Sequence, residues 1–256
     1  MNRIHGKLAL VTGASSGIGE ACARRLAAEG VDLALWARRE DRLARLASDL
    51  SREHGVSVHL RAVDVRDREA VADAAAALLS QVGPPQILIN NAGLAAGLSL
   101  IQEGDFQDWD RMVDTNVKGL LNVTRFVLPA MIEAGPGHVI NIGSTAGHLV
   151  YPKGNVYNAT KFAVKALTEA MNVDLAGTDV RASSIDPGFV ETEFSAVRFH
   201  GDAERAADVY RGLQPLSGDD VADAVVYAAN LPPHANILHL ILQPTAQRNA
   251  YVVDRR

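Results

Sequence analysis

Tyr157 and Lys161 stand four residues apart at the start of an apolar-periodic stretch, a spacing that places both side chains on one face of a helix. A free phenol, with a pKa of about 10, is a poor acid or base near neutrality, but an ammonium group beside it favours the phenolate. Ser144 directly follows the run HVINIG at 138 to 143, where its hydroxyl can hold an alcohol or carbonyl oxygen against Tyr157, or serve simply as a turn serine. A tuned phenol beside a hydrogen-bonding hydroxyl suits proton transfer at a CH–OH or C=O centre.

A second constellation points to a nucleotide. Thr12-Gly13-Ala14-Ser15-Ser16-Gly17-Ile18-Gly19 follows a short apolar run and opens a helical pattern, so its glycines permit close backbone approach and the helix can aim its N-terminal amides at a diphosphate. The spacing GxxxGxG differs from the GxGxxG fingerprint, and no Gly-Lys-Ser/Thr follows to make a P-loop. After the second apolar run comes Trp36-Ala37-Arg38-Arg39, with no carboxylate to accept bonds from an adenosine ribose. Two guanidiniums suited to a 2′-phosphate stand there instead, Arg38 the better placed, while Arg39 serves equally well as a solvated helix start. Asp64-Val65 can bond an adenine amino group, or Asp64 can cap the next helix. Asn90-Asn91-Ala92-Gly93 can wall the adenosine side.

These groups need a scaffold that brings separate loops together, and the chain alternates in the required way. Residues 7 to 12, 31 to 37, 56 to 63, 86 to 90, 138 to 143, 180 to 186 and 235 to 242 read as strands. Helices are expected over 20 to 29, 41 to 53, 68 to 81, 106 to 133 and 155 to 175. Buried strands separated by helices predict right-handed βαβ crossovers. The expected fold is one Rossmann-type, doubly wound parallel sheet of about seven strands with helices on both faces, and ligands beyond the carboxyl ends of the strands. At 256 residues the whole chain, 1 to 256, is expected to form one domain, with the polar, weakly periodic segment 188 to 217 as a lid.

Composition narrows the function. With 25 Lys+Arg scattered among 30 Asp+Glu and a net charge of −5, there is no footprint for a nucleic-acid backbone. The single cysteine, Cys22, allows no intrachain disulfide and fits a reducing cytoplasm. The N-terminus lacks a secretory pattern, no apolar run approaches a membrane span, and the eight histidines show no HExxH or other short ligand spacing, so neither membrane nor metal is expected.

Taken in order, TGASSGIG, Asp64, NNAG, Asn116 within DTNVKG, Ser144, Tyr157-x-x-x-Lys161 and Pro187-Gly188 resemble the classical short-chain dehydrogenase/reductase family over essentially the whole chain. The resemblance implies that Tyr157 is the acid/base, that Ser144 orients the substrate, and that Lys161 lowers the tyrosine pKa and binds the nicotinamide ribose. It implies further that Asn116 supports a relay water, that Val190 and Thr192 hold the carboxamide, and that Arg38 marks the NADP-preferring branch. IGSTAG, GNVY, DPGFVETEFSAVRFHGD and the tail LPPHANILHLILQPTAQ are similar to the NADP-dependent 3-hydroxy acid, or serine, dehydrogenase group, although His239, Leu240 and Ile241 stand where that group commonly carries a glutamate. Relatives are commonly tetramers, so a homotetramer or dimer is expected, with the helices over 106 to 133 and 155 to 175 as contact faces.

The leading expectation is therefore an NADP-dependent oxidoreductase of a small alcohol or carbonyl, possible substrates including 3-hydroxy acids. The alternatives are an NADPH-dependent reductase of neutral aldehydes or ketones and a non-catalytic nucleotide-sensing scaffold. Lys153, in the loop after Ser144, and Arg198, in the lid segment, are the candidate cations for a substrate carboxylate, or ordinary solvated charges.

Overall fold

The computed structural model describes residues 2–249 and 251–256. Its centre is a parallel sheet ordered β3-β2-β1-β4-β5-β6-β7, formed by β1 (Leu8–Thr12), β2 (Asp32–Ala37), β3 (Val58–Ala62), β4 (Ile87–Asn90), β5 (Gly137–Ile142), β6 (Val180–Pro187) and β7 (His239–Leu242). The first three strands step outward in one direction and the next four in the other. The order thus reverses between β1 and β4, and the loops leaving those strands diverge to open a crevice.

Pleating divides the core in two. Ala9 and Val11 of β1, with Leu33, Leu35, Ile87 and Ile89, face one side and pack with Cys22, Leu26, Leu43 and Val225. Leu8 and Leu10 face the other, with Leu88, Val139, Val123, Val127 and Val164. Near-continuous burial along β1 and β4 is what a parallel sheet covered on both faces demands, and each fully buried Leu or Ile contributes roughly 1.5–3 kcal/mol.

The helices are α1 (Gly17–Ala28), α2 (Glu40–His54), α3 (Arg68–Gln81), α4 (Phe106–Val113), α5 (Leu120–Ala134), α6 (Asn155–Asp174), α7 (Phe194–Arg198), α8 (Ala203–Asp208) and α9 (Gly218–Ala229). Two helical regions and one strand differ from the sequence reading. The expected helix over 106 to 133 is two helices joined by a π-helical turn, Asp114–Gly119, a widened register that apolar periodicity does not reveal. The expected strand over 235 to 242 shrinks to β7, because Asn236 turns its side chain to Ser183 and the Ala182 carbonyl. Helix α9 lies beyond the expected lid and is set by a capping box between Ser217 and Asp220. No helix among the described residues is long and apolar enough to cross a membrane.

Candidate functional site

The crevice at the carboxyl ends of β1 and β4 is a cleft of about 300 Å³. Gly13, Ser15, Ser16, Gly17, Ile18, Arg38, Arg39, Asp64, Val65, Asn91, Ala92, Gly93, Ser144, Tyr157, Lys161, Pro187, Gly188, Val190 and Thr192, all named from the sequence, line it. The turn before α1 is tightly built. Gly13 has a φ of +66°, and a side chain on Gly19 would strike Asn91 Nδ2 and the Gly13 carbonyl oxygen. Gly19 therefore does not line the cleft; it lets α1 dock against the turn. Asn91 completes the join, its Nδ2 donating to the Thr12 carbonyl at 2.9 Å.

Ser16 is the residue before α1, but its hydroxyl makes no cap. It accepts from Arg39 Nη2 at 2.6 Å, which leaves the first-turn amides of α1 without a side-chain acceptor at the cleft wall. Arg39 also donates to Ser15 Oγ and pairs with Glu193 at 2.9 Å, so it braces the turn, while Arg38 is exposed at the rim. Asp64 does not cap α3: Asp67 accepts from the Glu69 and Ala70 amides. The Asp64 carboxylate instead takes a forked interaction from Arg66, which together with Arg38 holds its pKa below the usual carboxylate range against the opposing effect of burial, the largest single influence on it.

At the opposite end, Tyr157 and Lys161 share one face of α6, both buried. Lys161 Nζ donates to the Ile142 carbonyl at 2.9 Å and lies 6.0 Å from the Tyr157 ring centroid. Desolvation brings its pKa down to about 8, opposed by the charge of Asp186. Burial pushes the Tyr157 phenol up, with Tyr151 adding to the rise, while Ser144 and Arg198 pull it down. Burial, the largest influence, thus favours the protonated phenol, against the pull of Ser144 and of one cation, Arg198. Ser144 sits beside it, its Oγ accepting from the Ala146 amide at 3.1 Å.

Asn116 is buried outside the cleft lining. Its Oδ1 accepts from the Leu94 amide at 2.8 Å, and its Nδ2 donates to the Leu94 carbonyl and to Thr160 Oγ1. With both amide hydrogens engaged, it braces the loop after β4 against α6. Of the two candidate substrate cations, Arg198 reaches the reacting corner, its guanidinium carbon 5.5 Å from the Tyr151 ring centroid and 5.7 Å from that of Tyr157. Lys153 is exposed, with a φ of 64°, and borders only a small side cavity that it shares with Arg198 and Tyr157. Sequence reasoning missed Arg66, Glu193, Phe194 and Tyr151. Arg66, which follows Val65, and Glu193 and Phe194, which follow Thr192, stood beside residues the sequence singles out; Tyr151 reaches the site through folding.

The profile of the family described as short chain dehydrogenase matches residues 7–203, which include the glycine turn, Ser144, Tyr157, Lys161 and Thr192. The chain belongs to the short-chain dehydrogenase family. It is an oxidoreductase acting on CH–OH groups. Sulfoacetaldehyde reductase 2 of Chromohalobacter salexigens is 45% identical over 250 residues, covering 97% of this chain and 98% of that relative. The NADP-dependent 3-hydroxy acid dehydrogenase YdfG of Salmonella typhi is 44% identical over 241 residues, 94% of this chain and 96% of its own. Among solved structures, the closed form of serine dehydrogenase complexed with NADP+ superposes with a TM-score of 0.90 at 42% identity, over 97% of this dehydrogenase and 99% of that chain.

Proposed function

We propose that this enzyme interconverts a short alcohol and its carbonyl form when the substrate also carries a carboxylate or sulfonate near the reacting carbon. It is an NADP-dependent oxidoreductase of small alcohol/carbonyl substrates. The observation that carries the anionic specificity is Arg198: its guanidinium stands beside the Tyr157 ring, and no carboxylate among the described residues forms an ion pair with it. The relatives named above are designated for an aldehyde bearing a sulfonate and for hydroxy acids, and both substrate types offer a small alcohol or carbonyl next to an anion.

The cleft fits the cofactor on its own terms. The open first-turn amides of α1 suit a diphosphate, the exposed Arg38 would suit a 2′-phosphate with Arg39, engaged by Ser16 and Glu193, beside it on the cleft wall, and Lys161 Nζ has donors left beyond its bond to Ile142. Bound NADPH supplies the hydride, and NADP+ accepts it. In the reductive direction Tyr157 O–H donates its proton to the substrate oxygen as that oxygen gains charge, and in the oxidative direction the phenolate takes it back. Ser144 holds the same oxygen by hydrogen bonding. Lys161 keeps a positive charge beneath the phenol, and Asn116 fixes Leu94 and Thr160 around them. Val190 and Thr192, which line the cleft, would hold the carboxamide, and the segment 188–217 would act as a lid that brings Phe194 and Val197, also on the cleft wall, over the substrate.

The exposed apolar side chains Leu121 and Ile132 on α5 and Phe162 and Val173 on α6 support a homo-oligomer formed through those helices, and we place the enzyme in the cytoplasm. The test of substrate class is an absorbance assay at the reduced-nicotinamide band. NADP and NAD would be offered with 3-hydroxy acids, a sulfonated aldehyde and neutral carbonyls of equal length. NADP-linked turnover with kcat/KM at least tenfold higher for the anionic compounds is expected. Equal or better turnover of neutral carbonyls would discard anion recognition and make the enzyme a reductase of neutral aldehydes or ketones.

A further inference from the structure

Behind the catalytic corner, β6, β7 and the turn after β5 bring together a cluster that donates no group to the substrate, although the charge of Asp186 is felt at Lys161. His148 follows β5, Asp186 lies near the end of β6, and His239 opens β7, which pairs with β6 in the register Ser184 to His239. His148 Nε2 is 2.8 Å from Asp186 Oδ2, and His239 Nδ1 is 3.4 Å from the same oxygen. The two imidazole rings meet edge to face with centroids 5.6 Å apart. The other Asp186 oxygen accepts from the Ser184 hydroxyl, so the carboxylate cannot swing away.

We propose that His148, Asp186 and His239 form a binding site for a single divalent transition cation of the zinc type. Three observations support it independently of the enzyme's substrate. First, the ligand atoms, two imidazole nitrogens and one carboxylate oxygen, all lie within 4.8 Å of one another. Bond lengths of about 2.0–2.2 Å in a tetrahedral site put ligand atoms about 3.3 Å apart; the two separations to Asp186, 2.8 and 3.4 Å, bracket that value, and the two imidazole nitrogens, within 4.8 Å of each other, come to it by side-chain rotation.

Second, His239 is oriented as metal-bound histidines are. Its Nε2 faces Glu169 Oε1 on α6 at 3.0 Å, and a carboxylate accepting one ring N–H leaves the other nitrogen with its lone pair free. Third, that other nitrogen is buried without a hydrogen-bond partner and points at an anionic oxygen. In the neutral ring, lone pair faces lone pair, an arrangement that a cation between them relieves. The donor set of two imidazoles and one carboxylate favours zinc, cobalt or nickel over calcium or magnesium, which prefer all-oxygen sites. Water supplies the fourth position, reached past His148 and His239, whose side chains are 22% and 16% exposed. His148 ligates through Nε2 once its proton resides on Nδ1.

The test uses the untagged, full-length protein, stripped with chelator and titrated with Co²⁺, whose visible d–d absorption reports coordination, and with Zn²⁺ by calorimetry. One equivalent should bind, with d–d bands that Zn²⁺ abolishes, and saturating Zn²⁺ should raise the melting temperature by about 5 °C because only the folded chain holds the site. His148→Gln and His239→Gln should each weaken Zn²⁺ binding at least tenfold, and the double variant should abolish it. Wild-type protein that binds no more metal than the double variant overturns the proposal, as does full binding by either single variant. Should His239→Gln fail to fold, judged by circular dichroism and NADPH binding, His148→Gln, on a partly exposed turn, makes the same comparison. Because the readouts are metal binding and melting, they stand or fall separately from the substrate assay.

Discussion

Replacing Arg198 by Met separates anion recognition from chemistry. Met keeps much of the aliphatic volume against Tyr151 and Tyr157 but removes the charge, together with the bond from Arg198 Nε to the Gly97 carbonyl. A charge-assisted hydrogen bond to a substrate carboxylate or sulfonate contributes about 1.5–3 kcal/mol, which is roughly a 10- to 150-fold loss in kcat/KM for an anionic substrate. A second effect acts on every substrate. The guanidinium lowers the pKa of the Tyr157 phenol, so its removal lets burial raise that pKa further and depresses oxidative turnover of charged and neutral alcohols alike. The assay that isolates the first effect is the ratio of kcat/KM for a 3-hydroxy acid to that for its neutral analogue of equal length, measured with saturating NADP. The ratio should fall at least tenfold, with most of the loss in KM. A ratio unchanged within twofold, even if both rates drop, would show that Arg198 acts on the phenol alone and would refute the proposed contact.

Four further outcomes test other parts of the site. Tyr157→Phe should lower turnover by about two to four orders of magnitude while NADPH still binds, and near wild-type rates would remove the phenol from the reaction. Arg38→Asp should reduce or reverse the preference for NADP over NAD, and an unaltered ratio of the two kcat/KM values would assign the phosphate contact elsewhere. Glu193 pairs with both Arg42 and Arg39, which hold its pKa at about 2, and it competes for cations at the 2′-phosphate side. Glu193→Gln should lower the KM for NADP about two- to fivefold, the range expected from an exposed ion pair, and a raised KM would mean that Glu193 supports the cofactor instead. Lys161 has a folded-state pKa of about 8, below its unfolded value near 10.4, so the folded chain binds fewer protons between those values and its stability rises with pH there. Denaturation midpoints of wild type and Lys161→Met should therefore diverge from pH 8 to 10, with the wild type gaining up to about 3 kcal/mol relative to the variant, and parallel curves would contradict the depressed lysine.

What could be read from sequence was set by periodicities local to each segment. Apolar runs such as Leu8–Thr12 and Ile87–Asn90, separated by amphipathic helices, specify a parallel sheet because only burial on both faces satisfies them. The pair Tyr157 and Lys161 was equally legible, since one helical turn between them decides that they share a face. The π-turn at Asp114–Gly119 was not, because a change in hydrogen-bond register leaves the apolar pattern almost intact. Nor could spacing tell that Asp67 rather than Asp64 caps α3, or that Arg39 spends its guanidinium on Ser16 and Glu193 while Arg38 stays at the rim. Those outcomes depend on which loops lie within about 3 Å of one another, and that is decided by strand order. The same holds for the upward push that burial gives the Tyr157 phenol, which depends on how completely the fold excludes water, and for Arg198 beside its ring. Residues 148, 186 and 239 illustrate the limit most plainly: no local pattern links them, and they converge because β5, β6 and β7 are neighbours in a sheet whose order the tertiary packing alone established.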